Sequence, residues 1–301
     1  MEQYKRELVA EISKAYYTVG MTESLYQMLT ETRLLLVENV RVNTRLFENE
    51  KITRDMLLRS QTELSKFDQQ LQVALKNKQV ASAYFNFLLN RPLSDSILVE
   101  KPVIEYFPEG GQQDYTEQAI SNREEIKSLE KYERISELNI RMNRSADLPD
   151  LFIVADYGYQ GEEYRFNKDQ DYMQASVVLS WDLFGGLQNR SRVRQALIQR
   201  DMVENRLNEA KSRIELQVIN SLQALKASGS AIAAAESQAL SSREAFRLVN
   251  RKYQEGQASL IEFMDARNAL TQAEENLIIS QYTYLSDYAE FEKAITHPIN
   301  Q

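Results

Sequence analysis

Apolar residues recur at every seventh position along much of this chain. Phe263, Leu270, Leu277, Tyr284 and Phe291 form one ladder, and Val218, Leu225, Ile232, Ala239, Phe246 and Tyr253 form another just before it. A seven-residue step holds a narrow apolar seam on one side of a helix and turns it toward a partner helix, as in a coiled coil. The spacing predicts one unbroken helix over 187–255 and shorter ones over 51–90, 115–143 and 260–294. At 1.5 Å of rise per residue the long helix extends roughly 100 Å, and those over 51–90 and 115–143 roughly 60 and 44 Å. Two short helices end to end therefore match one long helix, a wall of constant height.

Between Leu151 and Phe184 the period changes to two. In 151–159 the odd positions Leu151, Ile153, Ala155, Tyr157 and Tyr159 are apolar or aromatic, and in 175–183 so are Ala175, Val177, Leu179, Trp181 and Leu183. Asp156 and Gly158, and Ser176, Ser180 and Asp182, alternate with them. Each segment is about ten residues, the length that crosses a bilayer as a tilted strand. The join at 161–171 is polar and long, and Tyr157, Tyr159, Tyr172 and Trp181 suit an interfacial aromatic girdle. Period two does not by itself separate lipid from a protein core. A lone hairpin also has edges to satisfy, and the surrounding sequence is helical, so its strand partners come from other copies or from sequence outside this chain.

The helical part is duplicated. Arg45-Leu-Phe47-Glu-Asn-Glu50-Lys-Ile-Thr53 matches Arg251-Lys-Tyr253-Gln-Glu-Gly256-Gln-Ala-Ser259 at an offset of 206 (253 − 47). The same offset pairs Leu64 with Leu270, Leu71 with Leu277, Phe85 with Phe291 and Pro92 with Pro298. The chain thus holds two copies of one helical hairpin, with tips near Phe47 and Tyr253. Copy one carries Glu50 where copy two has Gly256, which leaves its tip free to differ. Met1 aligns with Leu207, inside the long helix of copy two. If copy two starts near Asp114, about 93 residues (207 − 114) are expected ahead of Met1.

Composition narrows the function. Nine glycines and five prolines in 301 residues, with 27% charged residues, are the profile of long helices with few turns. Pro92, Pro102, Pro108, Pro149 and Pro298 all fall between periodic segments. The absence of cysteine excludes disulfides and thiolate metal sites, and the one histidine, His297, lies in the polar C-terminal end, where no role is assigned to it. A net charge of −8 without a long basic run argues against nucleic acid as a partner. No phosphate loop or nucleophile–base pair is present, so no enzyme activity and no cofactor are expected. No apolar run reaches the ~20 residues of a membrane helix.

Several short motifs, in order, carry a resemblance: Leu148-Pro149-Asp150-Leu151, then Leu179-Ser-Trp181-Asp-Leu-Phe-Gly-Gly186, Arg194-Gln-Ala196, the tip Tyr253-x-x-Gly256-x-x-Ser259, and Asn90-Arg-Pro92. Together with the duplication, they make the chain resemble the TolC family of outer-membrane efflux proteins over essentially its whole length. The resemblance implies a mainly α fold of long, antiparallel, coiled-coil-like hairpins forming part of an α-barrel, with a β-hairpin contributing to a trimeric outer-membrane β-barrel. It implies a homotrimeric passive duct for efflux or type I secretion in a Gram-negative outer membrane and periplasm, docked to a periplasmic adaptor (membrane fusion protein) and through it to an inner-membrane pump. The division expected is a first helical hairpin over 1–92, a linker over 93–113, an upper helix over 114–147, a transmembrane β-hairpin over 148–185 and a second helical hairpin over 186–301. The alternative is a periplasmic or cytosolic coiled-coil scaffold without membrane insertion.

Three sets of site residues follow from the resemblance. Phe47, Thr53, Tyr253, Gly256 and Ser259 match the hairpin tips that meet the adaptor, although the simplest alternative makes them turn residues. Glu262 and Asp265 match positions that line the narrow periplasmic end of the tunnel, where threefold symmetry would form acidic rings favouring cations; the alternative is a solvated helix face. Copy one has Met56 and Arg59 there, so any ring comes from copy two. Ile153, Val177, Leu179 and Trp181 are the lipid-facing positions of the strands.

Overall fold

The computed structural model describes residues 2–100, 104, 110–161 and 171–296. His297 and most of the 161–171 join lie outside them. In chain order the elements are α1 (Glu2–Glu48), α2 (Arg54–Leu88), α3 (Gln112–Asn122), α4 (Glu124–Ser145), β1 (Asp150–Tyr159), β2 (Asp171–Ser180), α5 (Gln188–Gln254) and α6 (Leu260–Ile295). The long helix expected over 187–255 is present as α5, 67 residues without a break. No helix among the described residues is long and apolar enough to cross a membrane.

The chain divides into two compact units, residues 1–123 with 214–301, and residues 124–213. In the first, α1 packs against both α2 and α6. The ladders supply the seams. Val218 and Leu225 on α5 are fully buried, and Tyr284 and Phe291 on α6 nearly so. Phe291 meets Tyr115 of α3 edge-on at 5.0 Å, while its repeat partner Phe85 packs with Ala15, Val19 and Ala81. A second cluster joins Leu29, Leu36 and Phe67. Burying each such side chain contributes about 1.5–3 kcal/mol. Between α1 and α6 the helices approach so closely that a Cβ on Gly20 would lie 2.6 Å from the Tyr282 ring.

The duplication extends to individual caps. Helices α1 and α5 end at Glu48 and Gln254, and α2 and α6 begin at Arg54 and Leu260, each pair 206 apart. Glu50 and Gly256 both have positive φ, 58° and 74°, and so do Asn90 and Thr296, 53° and 57°. The hydrogen bonds coincide as well. Glu50 N–H donates to Phe47 O and Lys51 N–H to Leu46 O, while Gly256 N–H donates to Tyr253 O and Gln257 N–H to Lys252 O. Both are Schellman motifs. Copy one's tip therefore turns in the same way as copy two's, despite lacking the glycine.

The helix expected over 115–143 is instead two helices. Arg123 adopts an extended backbone (ψ 129°) between α3 and α4. Its buried side chain donates from Nη2 to Ala294 O at 3.0 Å, satisfying a carbonyl at the end of α6. Helix ends leave carbonyls that need such partners.

In the second unit, β1 and β2 pair antiparallel with Leu151 opposite Leu179, Ile153 opposite Val177 and Ala155 opposite Ala175. The strand ends differ from the alternation. β2 starts at Asp171 and stops at Ser180, so Trp181 lies beyond it, its indole N–H donating to Asp147 O at 3.2 Å. Asn189 Nδ2 donates to Asn143 O and Asp147 Oδ1, tying the start of α5 to the end of α4.

Candidate functional site

The tip of copy two is held by local chemistry. Ser259, with extended φ and ψ of −76° and 159°, is the N-cap of α6. Its Oγ accepts from Glu262 N–H at 3.2 Å, and Glu262 Oε2 accepts from Ser259 N–H at 2.7 Å. This capping box satisfies two donors left free at the helix start. The Ser259 backbone N–H, then its hydroxyl, hold the Glu262 carboxyl below the usual range, with Lys252 adding to the effect. Thr53 has the same extended backbone but makes no side-chain cap, and Met56 stands where the reciprocal carboxylate would be. Ser259 and Glu262, expected in separate sites, are thus one motif. The signal was the Ser-x-x-Glu spacing before an apolar run. Asp265 is exposed one turn further on, without a comparable bond among the described residues.

Tyr253 faces inward. Its ring stacks on Phe263 at 4.8 Å, and its hydroxyl donates to Asn43 Oδ1 at 2.8 Å. Asn43, fully buried, donates in turn to Asn39 at 3.1 Å. Asn43 continues the heptad of Leu29 and Leu36, and a polar residue on a buried seam was the available clue to this contact between the copies. Around it lies a cavity of about 530 Å³ lined by Asn39, Asn43, Met56, Phe246, Tyr253 and Phe263, among others. Phe47, Thr53 and Gly256 are exposed at the turns. A second buried polar group, Arg267, lies over the Phe67 ring and reaches Glu63 at 3.5 Å across the repeat; burial lowers its pKa, opposed by the Glu63 charge.

The β-hairpin sorts its side chains by face. Because odd pairs with odd, Leu151, Ile153, Ala155 and Tyr157 share one face with Leu179, Val177, Ala175 and Met173. Ile153 and Val177 are 77% and 69% exposed, so nothing among the described residues covers this face. The other face holds Asp150, Asp156, Gln174, Ser176 and Ser180, but also Phe152, Val154 and Val178. Tyr157 and Tyr159 meet at 5.8 Å near the loop end of the apolar face.

Residues 115–297, more than half of the sequence, match the model of the outer membrane efflux protein family. The chain belongs to that family. It is a subunit of an outer-membrane efflux channel, residing in the outer membrane and periplasm of a Gram-negative bacterium. Among solved structures, a membrane protein from Pseudomonas aeruginosa matches 98% of this chain and 69% of its own at 18% identity and a TM-score of 0.84. The outer membrane protein VceC from Vibrio cholerae matches 98% of this chain and 71% of its own at 14% identity and a TM-score of 0.83. The open-state MtrE channel of Neisseria gonorrhoeae matches 96% and 66% at 20% identity and a TM-score of 0.81. These similarities establish the fold of the efflux protein: long helical hairpins with a small antiparallel β-hairpin. No curated protein matches the sequence.

Proposed function

We propose that three copies of this efflux protein form a passive duct, with no catalytic activity of its own, that docks to a periplasmic adaptor and through it to an inner-membrane pump. The observation that carries this reading is the β-hairpin. Its two strands pair only with each other among the described residues, so each keeps an unsatisfied edge, and its apolar face has no cover. Closure with strands from other copies satisfies the edges, and lipid covers the face. Ile153, Val177 and Leu179 then face lipid, with Trp181 at the foot of the hairpin.

The exposed turns at Phe47, Thr53, Gly256 and Ser259 are the surface offered to the adaptor, with Tyr253 supporting them from within. Of the two tunnel positions, Asp265 is the freer to line the narrow end, because Glu262 is engaged by its own helix. The test is to recover the expressed protein from membrane fractions, cross-link it and record its conductance in planar bilayers. A cross-linked trimer with steady conductance is expected. A soluble, non-conducting rod would favour the coiled-coil scaffold.

A further inference from the structure

A groove of about 520 Å³ runs along α1 between the two return helices α2 and α6. Its walls come from equivalent positions of the repeat. Gln69 and Val73 on α2 are matched by Glu275 and Ile279 on α6 (69 + 206 = 275 and 73 + 206 = 279), and all four line it. Leu25 and Leu29 of α1 also line it.

The duplication leaves one charge without an answer. Where copy one has neutral Gln69, copy two has Glu275, which has no hydrogen bond or ion pair among the described residues. Its neighbour Glu274 accepts from Arg243 of α5 at 2.8 Å. The groove's cation, Lys66, is already held by Glu63 at 2.9 Å. Burial alone pushes the Glu275 carboxyl up. A carboxylate drawn partly out of water without a counter-charge is costly, and a cation brought to it relieves that cost. Thr22, Gln69, Gln70 and Asn77 also line the groove, but most of the surface it exposes is apolar and accommodates hydrocarbon. A volume of this size suits a small organic molecule.

We propose that this groove binds an amphipathic organic cation, with its charge at Glu275 and its apolar body against Leu25, Leu29, Val73 and Ile279. Ile279 lies two heptads beyond Asp265 on α6 (265 + 14 = 279), which puts the two on one face of that helix. A role as a contact for passing cargo rests on the channel reading; the binding itself does not.

Calorimetric titration of the purified protein with tetraphenylphosphonium tests the site, with neutral triphenylphosphine oxide as the uncharged probe. Saturable binding of the cation is expected, at least tenfold tighter than the neutral probe. Glu275→Gln should weaken it at least tenfold, and Ile279→Ser severalfold. Glu274→Gln, an equal change of charge one residue away, should alter it less than twofold. Far-ultraviolet circular dichroism confirms that each variant keeps its helices. Equal affinity in Glu275→Gln and the parent, equal losses in Glu274→Gln and Glu275→Gln, or no saturable binding would overturn the proposal. If the protein proves not to conduct while the Glu275 dependence persists, the channel reading fails and the site stands.

Discussion

Glu50 and Gly256 occupy the same position of the same turn, at φ 58° and 74°, although only one of them is a glycine. The left-handed conformation places a Cβ close to the following carbonyl and costs roughly 1–2 kcal/mol for most residues. Copy one accepts that strain, and its Schellman hydrogen bonds have the same pattern as those of copy two.

Glu50→Gly should therefore stabilise the protein, by about 1 kcal/mol, read as a higher urea midpoint. Gly256→Ala should destabilise it by a similar amount through backbone conformation, since nothing lies within 4 Å of the added Cβ. Opposite signs at the two positions are the expected result. Equal effects would mean that the turns differ.

Ser259→Ala should cost about 1 kcal/mol by removing the N-cap of α6. Thr53→Ala should cost less, because Thr53 makes no side-chain cap. The capping box also carries a pH signature. The Glu262 carboxyl is held below its ordinary value in the folded state, so the ionised form is favoured there. Its stabilising effect is fully present above the unfolded-state pKa of about 4.3 and is lost as pH falls through the depressed folded value. Denaturation of the parent and of Glu262→Gln at pH 7 and pH 3 should show the difference between them narrowing at the lower pH.

On the β-hairpin, Val177→Arg or Ile153→Arg should impair outer-membrane assembly, because a charge at mid-bilayer depth costs about 2–4 kcal/mol. Ser176→Arg, on the opposite face, should be milder. Quantifying assembled protein in the outer-membrane fraction checks this, and similar losses at all three positions would place the apolar face away from lipid.

On the proposed tunnel position of these residues, Asp265→Asn should weaken cation selectivity and divalent-ion block in planar bilayers more than Glu262→Gln does. The Glu262 carboxylate is bound to the Ser259 backbone at 2.7 Å, whereas Asp265 is exposed without such a bond. Met56→Ala should leave charge selectivity unchanged, since that position carries no charge. Equal effects of the two acidic substitutions would mean that the capping box opens in the assembled channel.

Much of this architecture was legible because its signals are periodic. The step of seven located α5 and α6 to within a residue or two at each end, and the offset of 206 anticipated both tips. Where one side chain decides, periodicity was silent. The break at Arg123 depends on a guanidinium reaching Ala294, 171 positions away, and nothing local distinguishes that arginine from its exposed neighbours. Likewise, Trp181 continues the alternation of β2, yet the ladder ends before it and its indole turns to Asp147. Glu50 in place of a glycine leaves the tip of copy one free to differ, because glycine is the usual residue at a left-handed turn. The turn forms all the same, closed by the same backbone hydrogen bonds in both copies.

The two unsatisfied strand edges make the hairpin's folding a matter of reaction order. Helices of the first unit find their seams within one chain, so their formation is unimolecular and indifferent to dilution. A two-stranded ribbon is marginal alone in water and gains its stability only when other strands arrive. In a trimer, that gain scales with the concentration of copies, as for any state stabilised by association. Diluting the dissociated protein should slow recovery of the β signal and leave recovery of the helical signal unchanged. In the proposed trimer the hairpin is then the last part to form, at the place where copies are gathered.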